Sequence, residues 1–248
     1  MLNKKLKNVA VIGCSYTNWR DGDCLLQSYP ALIANDFPEY NVIDLSICGD
    51  SNATVYYKIK QAEKQLKIKF DKIICQITHV WRMCYFNQEY LEYNPFDFLK
   101  KKNYIYTFGE YQGNFTQKQM IPLQPWMLEN KQKKTWQKQV IKNIAMNFGI
   151  DPRSIFSILE NHFNHWHLQE TVDLINCVYG TDNVLMFSWH KDKDLNTISF
   201  ENNYIGAVQT WLDNKFFEIA IDNAPHYNAA GHRLIYKNMY PNVNRLLT

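Results

Sequence analysis

Residues 7–19 read KNVAVIGCSYTNW, and the first half of that stretch decides the fold. Val9-Ala10-Val11-Ile12 is an unbroken apolar run that stops at Gly13, and Cys14-Ser15-Tyr16-Thr17 follows before the chain turns polar at Asn18. Strands buried on both faces of a parallel sheet are continuous β-branched runs, so this is a buried strand leading into a tight turn, with glycine supplying unusual backbone angles. Open α/β sheets place chemistry just beyond the carboxyl ends of their strands, which gives Ser15 the position of a nucleophile. Serine after a strand is usually a helix N-cap, and these residues alone favour the cap. The far end of the chain shifts the balance. Residues 223–232, NAPHYNAAGH, offer His226 after another apolar run and just before a helix.

Outward from the first strand, Tyr29-Pro30 opens a helix with proline in its first turn. A second strand spans residues 40–47 and ends in the small-residue turn Cys48-Gly49-Asp50-Ser51-Asn52-Ala53. Helix 54–67 then sets Val55, Ile59, Ala62 and Leu66 on one face with lysines opposite. The third strand covers 72–78, and the polar loop His79-Val-Trp-Arg82 follows it. This βαβαβ order predicts a doubly wound parallel sheet.

Residues 83–130 hold many aromatics among Asn, Gln and Lys with no sustained period. A connection this long inside a compact domain reads as a lid or binding segment, so the chain is taken as one domain over 1–248 with an insertion at 83–135. Beyond it the pattern predicts helices over 135–148 and from Asp151-Pro152 to about Tyr179, then strands at 183–190 and 216–221. A last helix starts near Asn228, with Ala229, Ala230, Leu234, Ile235 and Met239 inward.

Composition removes several classes of function. A chain that is 46% hydrophobic and 21% charged is not a disordered one, and a net charge of +3 lacks the basic stripe that nucleic acid requires. No apolar stretch reaches membrane-spanning length. Cysteines 14, 24, 48, 75, 84 and 177 show no framework spacing, and the N-terminal MLNKKLK lacks the apolar core of a signal peptide. Free thiols in a cytoplasmic setting are therefore expected. Aromatics at 15% point to a wide cleft or contact surface. Oligomeric state stays open.

Ester chemistry needs an activated hydroxyl, a base, and donors aimed at the oxygen that becomes negative. Ser15 is the candidate nucleophile and His226 the base, with the backbone N–H groups of Ser15 and Gly49 as oxyanion donors. No cofactor or metal is expected. His162, His165 and His167 lie on a predicted helix where only the first two share a face, and no carboxylate completes a zinc pattern. Ser188 is either a cleft residue or a satisfied polar group at a strand end. His232 reads as a helix-face residue with local hydrogen bonds.

On these residues the chain resembles the SGNH/GDSL hydrolase superfamily. Gly13-Cys14-Ser15-Tyr16-Thr17 is similar to the family's nucleophile block, which usually has Asp where this chain has Cys14. Cys48-Gly49-Asp50-Ser51 is similar to its second block and His226-Tyr-Asn-Ala-Ala-Gly-His232 to its final one. The resemblance implies a three-layer α/β/α flavodoxin-like sandwich with about five central parallel strands, acting as a metal-independent serine esterase on an O-acyl group, such as an O-acetyl on a sugar. In the third block the chain has Gln76-Ile-Thr78-His79-Val-Trp-Arg82 in place of the family's Gly-x-Asn-Asp, so the extra oxyanion donor falls to Asn52, Thr78, His79 or Arg82. The family's acid position is Asn223 here. Asp222, one residue earlier, is the expected triad carboxylate, and Asn223 is the alternative orienting group. The rival reading is a carbohydrate- or partner-binding protein that keeps the fold with a weakened site; a third is a structural component that uses the insertion as its contact surface.

Overall fold

The computed structural model describes residues 6–14, 17, 27–46, 52, 55–78, 92–101, 104–112, 151, 166–189, 191, 193–212 and 227–248. Its centre is the opening strand. β1 (Lys7–Ile12) is buried after its first residue and pairs in parallel with β2 (Tyr40–Asp44) on one side and β3 (Lys72–Ile77) on the other. β3 continues into β6 (Val184–Ser188) and β6 into β7 (Tyr204–Ala207), both parallel. On the far side, β5 (Tyr104–Gln112) adds in parallel to β2, and β4 (Glu92–Lys101) closes that edge antiparallel to β5. The seven-stranded order is β4-β5-β2-β1-β3-β6-β7. Chain direction across the sheet reverses at β1, which makes its carboxyl end the switch point of the fold.

Alternation along the strands supplies two cores. Val9, Val11, Val42, Ile74, Leu185 and Phe187 face a layer with α1 (Tyr29–Asp36), the short α4 (Val208–Trp211) and the final helix α5 (Ala229–Leu247). Ala10, Ile12, Ile43, Ile73, Cys75 and Met186 face α2 (Val55–Leu66) and α3 (Trp166–Tyr179). The result is the predicted α/β/α sandwich. Two tyrosines fasten the first layer from outside its apolar contacts, Tyr236 donating to Asp36 Oδ2 at 2.7 Å and Tyr40 to the Leu247 carbonyl at 2.7 Å.

Several expectations need correction. β4 and β5 lie inside the segment read as lacking any strand period, and they extend the sheet beyond the strands foreseen. The pattern is obscured where Pro95 and a register shift between Pro95 and Phe98 interrupt β4. Proline is tolerated there because an edge strand has one side with no ladder to donate to. Lys58, expected on the solvent face of α2, is fully buried and donates from Nζ to the Leu45 carbonyl at 3.3 Å. On α5 the inward residues include Gly231, His232, Ile235, Tyr236, Met239 and Val243, whereas Ala230 is exposed and Ala229 and Leu234 are half-buried. The strand expected at 216–221 and the helix expected at 135–148 lie outside the described residues, as does the first part of the helix expected from Asp151.

Candidate active site

Because the strands on either side of β1 are parallel to it, the carboxyl ends of β1, β2, β3 and β6 share one edge of the sheet. Ser15, Gly49, His79, Arg82, Asp222, Asn223 and His226 lie outside the described residues. Cys14, Thr78 and Tyr227, which directly adjoin Ser15, His79 and His226 in sequence, are described, and with Thr17 they belong to the frame at that edge.

Cys14 and Thr17 bracket residue 15 and are joined by the Thr17 N–H donating to the Cys14 carbonyl at 2.9 Å. Both are completely buried. Gln76, in the last turn of pleat of β3, gathers them. Its Oε1 accepts the Thr17 hydroxyl and the Cys14 N–H, the latter at 3.5 Å, with the Cys14 thiol at 3.9 Å. A backbone N–H can only donate, so Cys14 decides which end of the Gln76 amide faces the turn. Tyr29, at the start of α1, donates its hydroxyl to Thr17 Oγ1 at 2.9 Å. Burial holds that phenol well above its ordinary range, so it stays a donor.

Gly13 is required by this crowding. A Cβ built on it would lie 2.0 Å from Thr17 Oγ1 and 2.5 Å from Gln76 Oε1. Its backbone is not in the left-handed region, where among the described glycines only Gly180 and Gly206 fall. The sequence-based reason, unusual backbone angles, is therefore replaced by close approach.

The final block is built on the same layer. Tyr227, which follows His226, is buried against Trp189 with ring centroids 4.3 Å apart, and Trp189 hangs from β3 by its N–H to the Ile77 carbonyl at 3.3 Å. Asn228 caps α5 by accepting the Gly231 N–H at 3.0 Å. Gly231 has to be small, because an added Cβ would meet Tyr227 Cβ at 2.8 Å. His232 then turns inward. Its Nδ1 accepts the Tyr29 N–H at 3.3 Å and its ring stacks on Tyr29 at 5.9 Å. The expected local hydrogen bonding of His232 is thus corrected to a bond spanning 203 residues. Ser28 makes no side-chain cap to α1, and the histidine satisfies one of the donors that a helix start leaves open. Burial pulls the imidazole down to about 3, so the ring is neutral and carries its proton on Nε2.

Of the possible extra donors, Asn52 and Thr78 are brought together. The Thr78 N–H donates to Asn52 Oδ1 at 2.8 Å and Asn52 Nδ2 donates to the Thr78 carbonyl at 3.2 Å. The pair braces the loop after β2 against the end of β3. At the end of β2, Asp44 is fully buried and accepts the Ser46 N–H at 3.0 Å and the Ser46 hydroxyl. Ser188 is a satisfied group, 2.6 Å from the Tyr204 hydroxyl.

Sequence reasoning passed over Gln76, Thr17 and Tyr29 as a unit. The available signal was Gln76 itself, since an amide inside the run KIICQI of a strand buried on both faces must have partners there. A cleft of about 440 Å³ opens at the opposite end of β6, lined by Thr181, Asp182, Glu201, Asn203 and Arg245 among others. Of the predicted site residues that are described, neither Asn52 nor Thr78 lines it, and the strand-end frame is the better candidate for chemistry. Among the described residues no group of three or more His, Cys, Asp or Glu is placed to hold a metal, and no helix is long and apolar enough to cross a membrane.

No family model matches the sequence, and a search of curated proteins returns no match. Among solved structures, the chain is similar to the psychrotrophic esterase EstA from Pseudoalteromonas sp., at 8% identity and a TM-score of 0.47, covering 96% of this chain and 97% of that one. It is similar also to TesA, at 12% identity and a TM-score of 0.39, covering 97% and 99% of the two chains. Likenesses of this degree do not reach the level of side chains.

Proposed function

We propose that this chain is a serine ester hydrolase of the SGNH type that removes an O-acyl group, an O-acetyl on a carbohydrate being the favoured case. The observation that carries the reading is the single buried frame at the carboxyl ends of the parallel strands. It ties the residues bracketing Ser15 to the helix that follows His226, through Thr17, Tyr29 and His232. Rigid elements with locked neighbours are what an acyl-transfer site needs.

In the mechanism, Ser15 Oγ attacks the acyl carbonyl while His226 takes its proton. The oxygen that gains charge is met by the N–H groups of Ser15 and Gly49. Collapse of the tetrahedral adduct breaks the bond to the alcohol, which leaves with the proton held by His226. Water, deprotonated by the same histidine, then releases the carboxylic acid. Asp222 orients the imidazole, with Asn223 as the alternative. Asn52 and Thr78 are assigned to bracing the loops, and additional donation to the oxyanion falls to His79 or Arg82. No metal or cofactor takes part. The aromatic content of segment 83–135, within a single domain over 1–248, supports a sugar as the acceptor. The six cysteines of the sequence show no framework spacing, which supports a cytoplasmic setting.

The test is turnover of a chromogenic acetyl ester by the purified protein with and without chelator. Activity insensitive to chelator, and reduced at least about a thousandfold in Ser15→Ala, is expected. Equal activity in Ser15→Ala, or an inactive wild type that still binds oligosaccharide, would replace the enzyme with the binding protein of the rival reading.

A further inference from the structure

We propose that Thr17 is a positioning residue for acyl transfer, holding the nucleophile turn through a one-way relay from Tyr29 to Thr17 to Gln76. This rests on the hydrolase reading above and adds to it a residue with no contact to the substrate.

Direction in the relay follows from proton counting. The Tyr29 phenol has one hydrogen and gives it to Thr17 Oγ1 at 2.9 Å. Thr17 therefore has to pass its own single hydrogen onward, and Gln76 Oε1 is the acceptor in place. That same oxygen takes the Cys14 N–H, and the Cys14 carbonyl takes the Thr17 N–H. The residue before Ser15 and the residue two after it are thereby fixed to each other and to β3. None of the four side chains is more than 1% exposed, so water offers no substitute partner.

Both ends of the relay are anchored far from the turn. Gln76 is a strand residue in register with β6 through Phe187. Tyr29 is held by His232 at its N–H and by the edge of Phe187 at 5.8 Å. A nucleophile displaced by about 1 Å loses on the order of a hundredfold in rate, whether or not the protein stays folded. The Thr17 hydroxyl is where that displacement is prevented.

Thr17→Val keeps the shape and deletes the hydroxyl; Thr17→Ser keeps the hydroxyl and deletes a methyl. With p-nitrophenyl acetate, kcat of Thr17→Val is expected to fall about thirtyfold to a hundredfold with KM within about twofold, while Thr17→Ser stays within about threefold of wild type. Covalent labelling by a fluorophosphonate separates positioning from lost structure. A positioned turn lost in Thr17→Val still labels to full stoichiometry at a reduced rate, whereas a purely structural defect lowers the labelled fraction and overturns the proposal. Wild-type kcat in Thr17→Val also overturns it.

If Thr17→Val does not fold, Tyr29→Phe decides. Removing the donor that orients Thr17 is expected to lower kcat about threefold to tenfold at full labelling stoichiometry, and an unchanged kcat rejects the relay. Ser15→Ala run in parallel keeps the two readings apart. Activity surviving in Ser15→Ala removes the hydrolase reading and this proposal together, while activity lost in Ser15→Ala but intact in Thr17→Val removes this proposal alone.

Discussion

The two faces of the sheet treat buried amides differently. On the face toward α1 and α5, Gln76 Oε1 collects the Thr17 hydroxyl and the Cys14 N–H, and the chain of bonds runs on through Tyr29 to His232. On the face toward α2 and α3, Asn203 Nδ2 donates to Asn176 Oδ1 at 2.7 Å, and the remaining atoms of the two amides, Asn176 Nδ2 and Asn203 Oδ1, are buried without a partner among the described residues. A buried network whose members are joined in series specifies one arrangement, whereas an isolated pair contributes little beyond its single bond. The first kind of construction sits beside the proposed nucleophile and the second does not.

The comparison breaks first at Gly13. Gly13→Ala drives a methyl into Thr17 and Gln76, neither of which has room to retreat, and is expected to cost about 3 kcal/mol in urea unfolding and to abolish ester hydrolysis. Stability near wild type would show that the frame is looser than its distances imply.

His232 sharpens the contrast through pH. Its folded-state value, about 3, lies below the ordinary 6.5, so the unfolded chain binds the extra proton between those limits. Stability from this group is fully present above about pH 6.5 and declines as pH falls toward 3, by up to about 1.4 kcal/mol per unit. His232→Asn, which keeps an acceptor near the Tyr29 N–H without a titrating ring, is expected to flatten that decline in denaturant titrations between pH 7 and pH 5. An unchanged slope would assign the acid sensitivity to other groups.

The smallest effect is expected on the other face. Asn176→Leu removes one bond and leaves the number of unpartnered donors unchanged, Asn203 Nδ2 taking the place of Asn176 Nδ2, and calorimetry should register a loss of about 1 kcal/mol, with kcat unaltered. A loss as large as that of Gly13→Ala would mean that the amide pair is as structural as Gln76.

The pattern of apolar runs and turn residues by itself determined the central strands, most of the helix starts and the parallel sheet, because burial on both faces admits only continuous apolar stretches. It also placed the start of the last helix near Asn228, which a local cap bond fixes. Tertiary structure alone decided the rest. The hairpin of β4 and β5 was hidden by Pro95 and a shifted register that only an edge position permits. The need for glycine at position 13 comes from Thr17 and Gln76, the latter brought in from another strand, and not from its own backbone angles. His232, read as a local helix residue, closes the start of α1, because the donor it satisfies lies 203 positions away and becomes a neighbour only once α1 and α5 pack on the same face of the sheet.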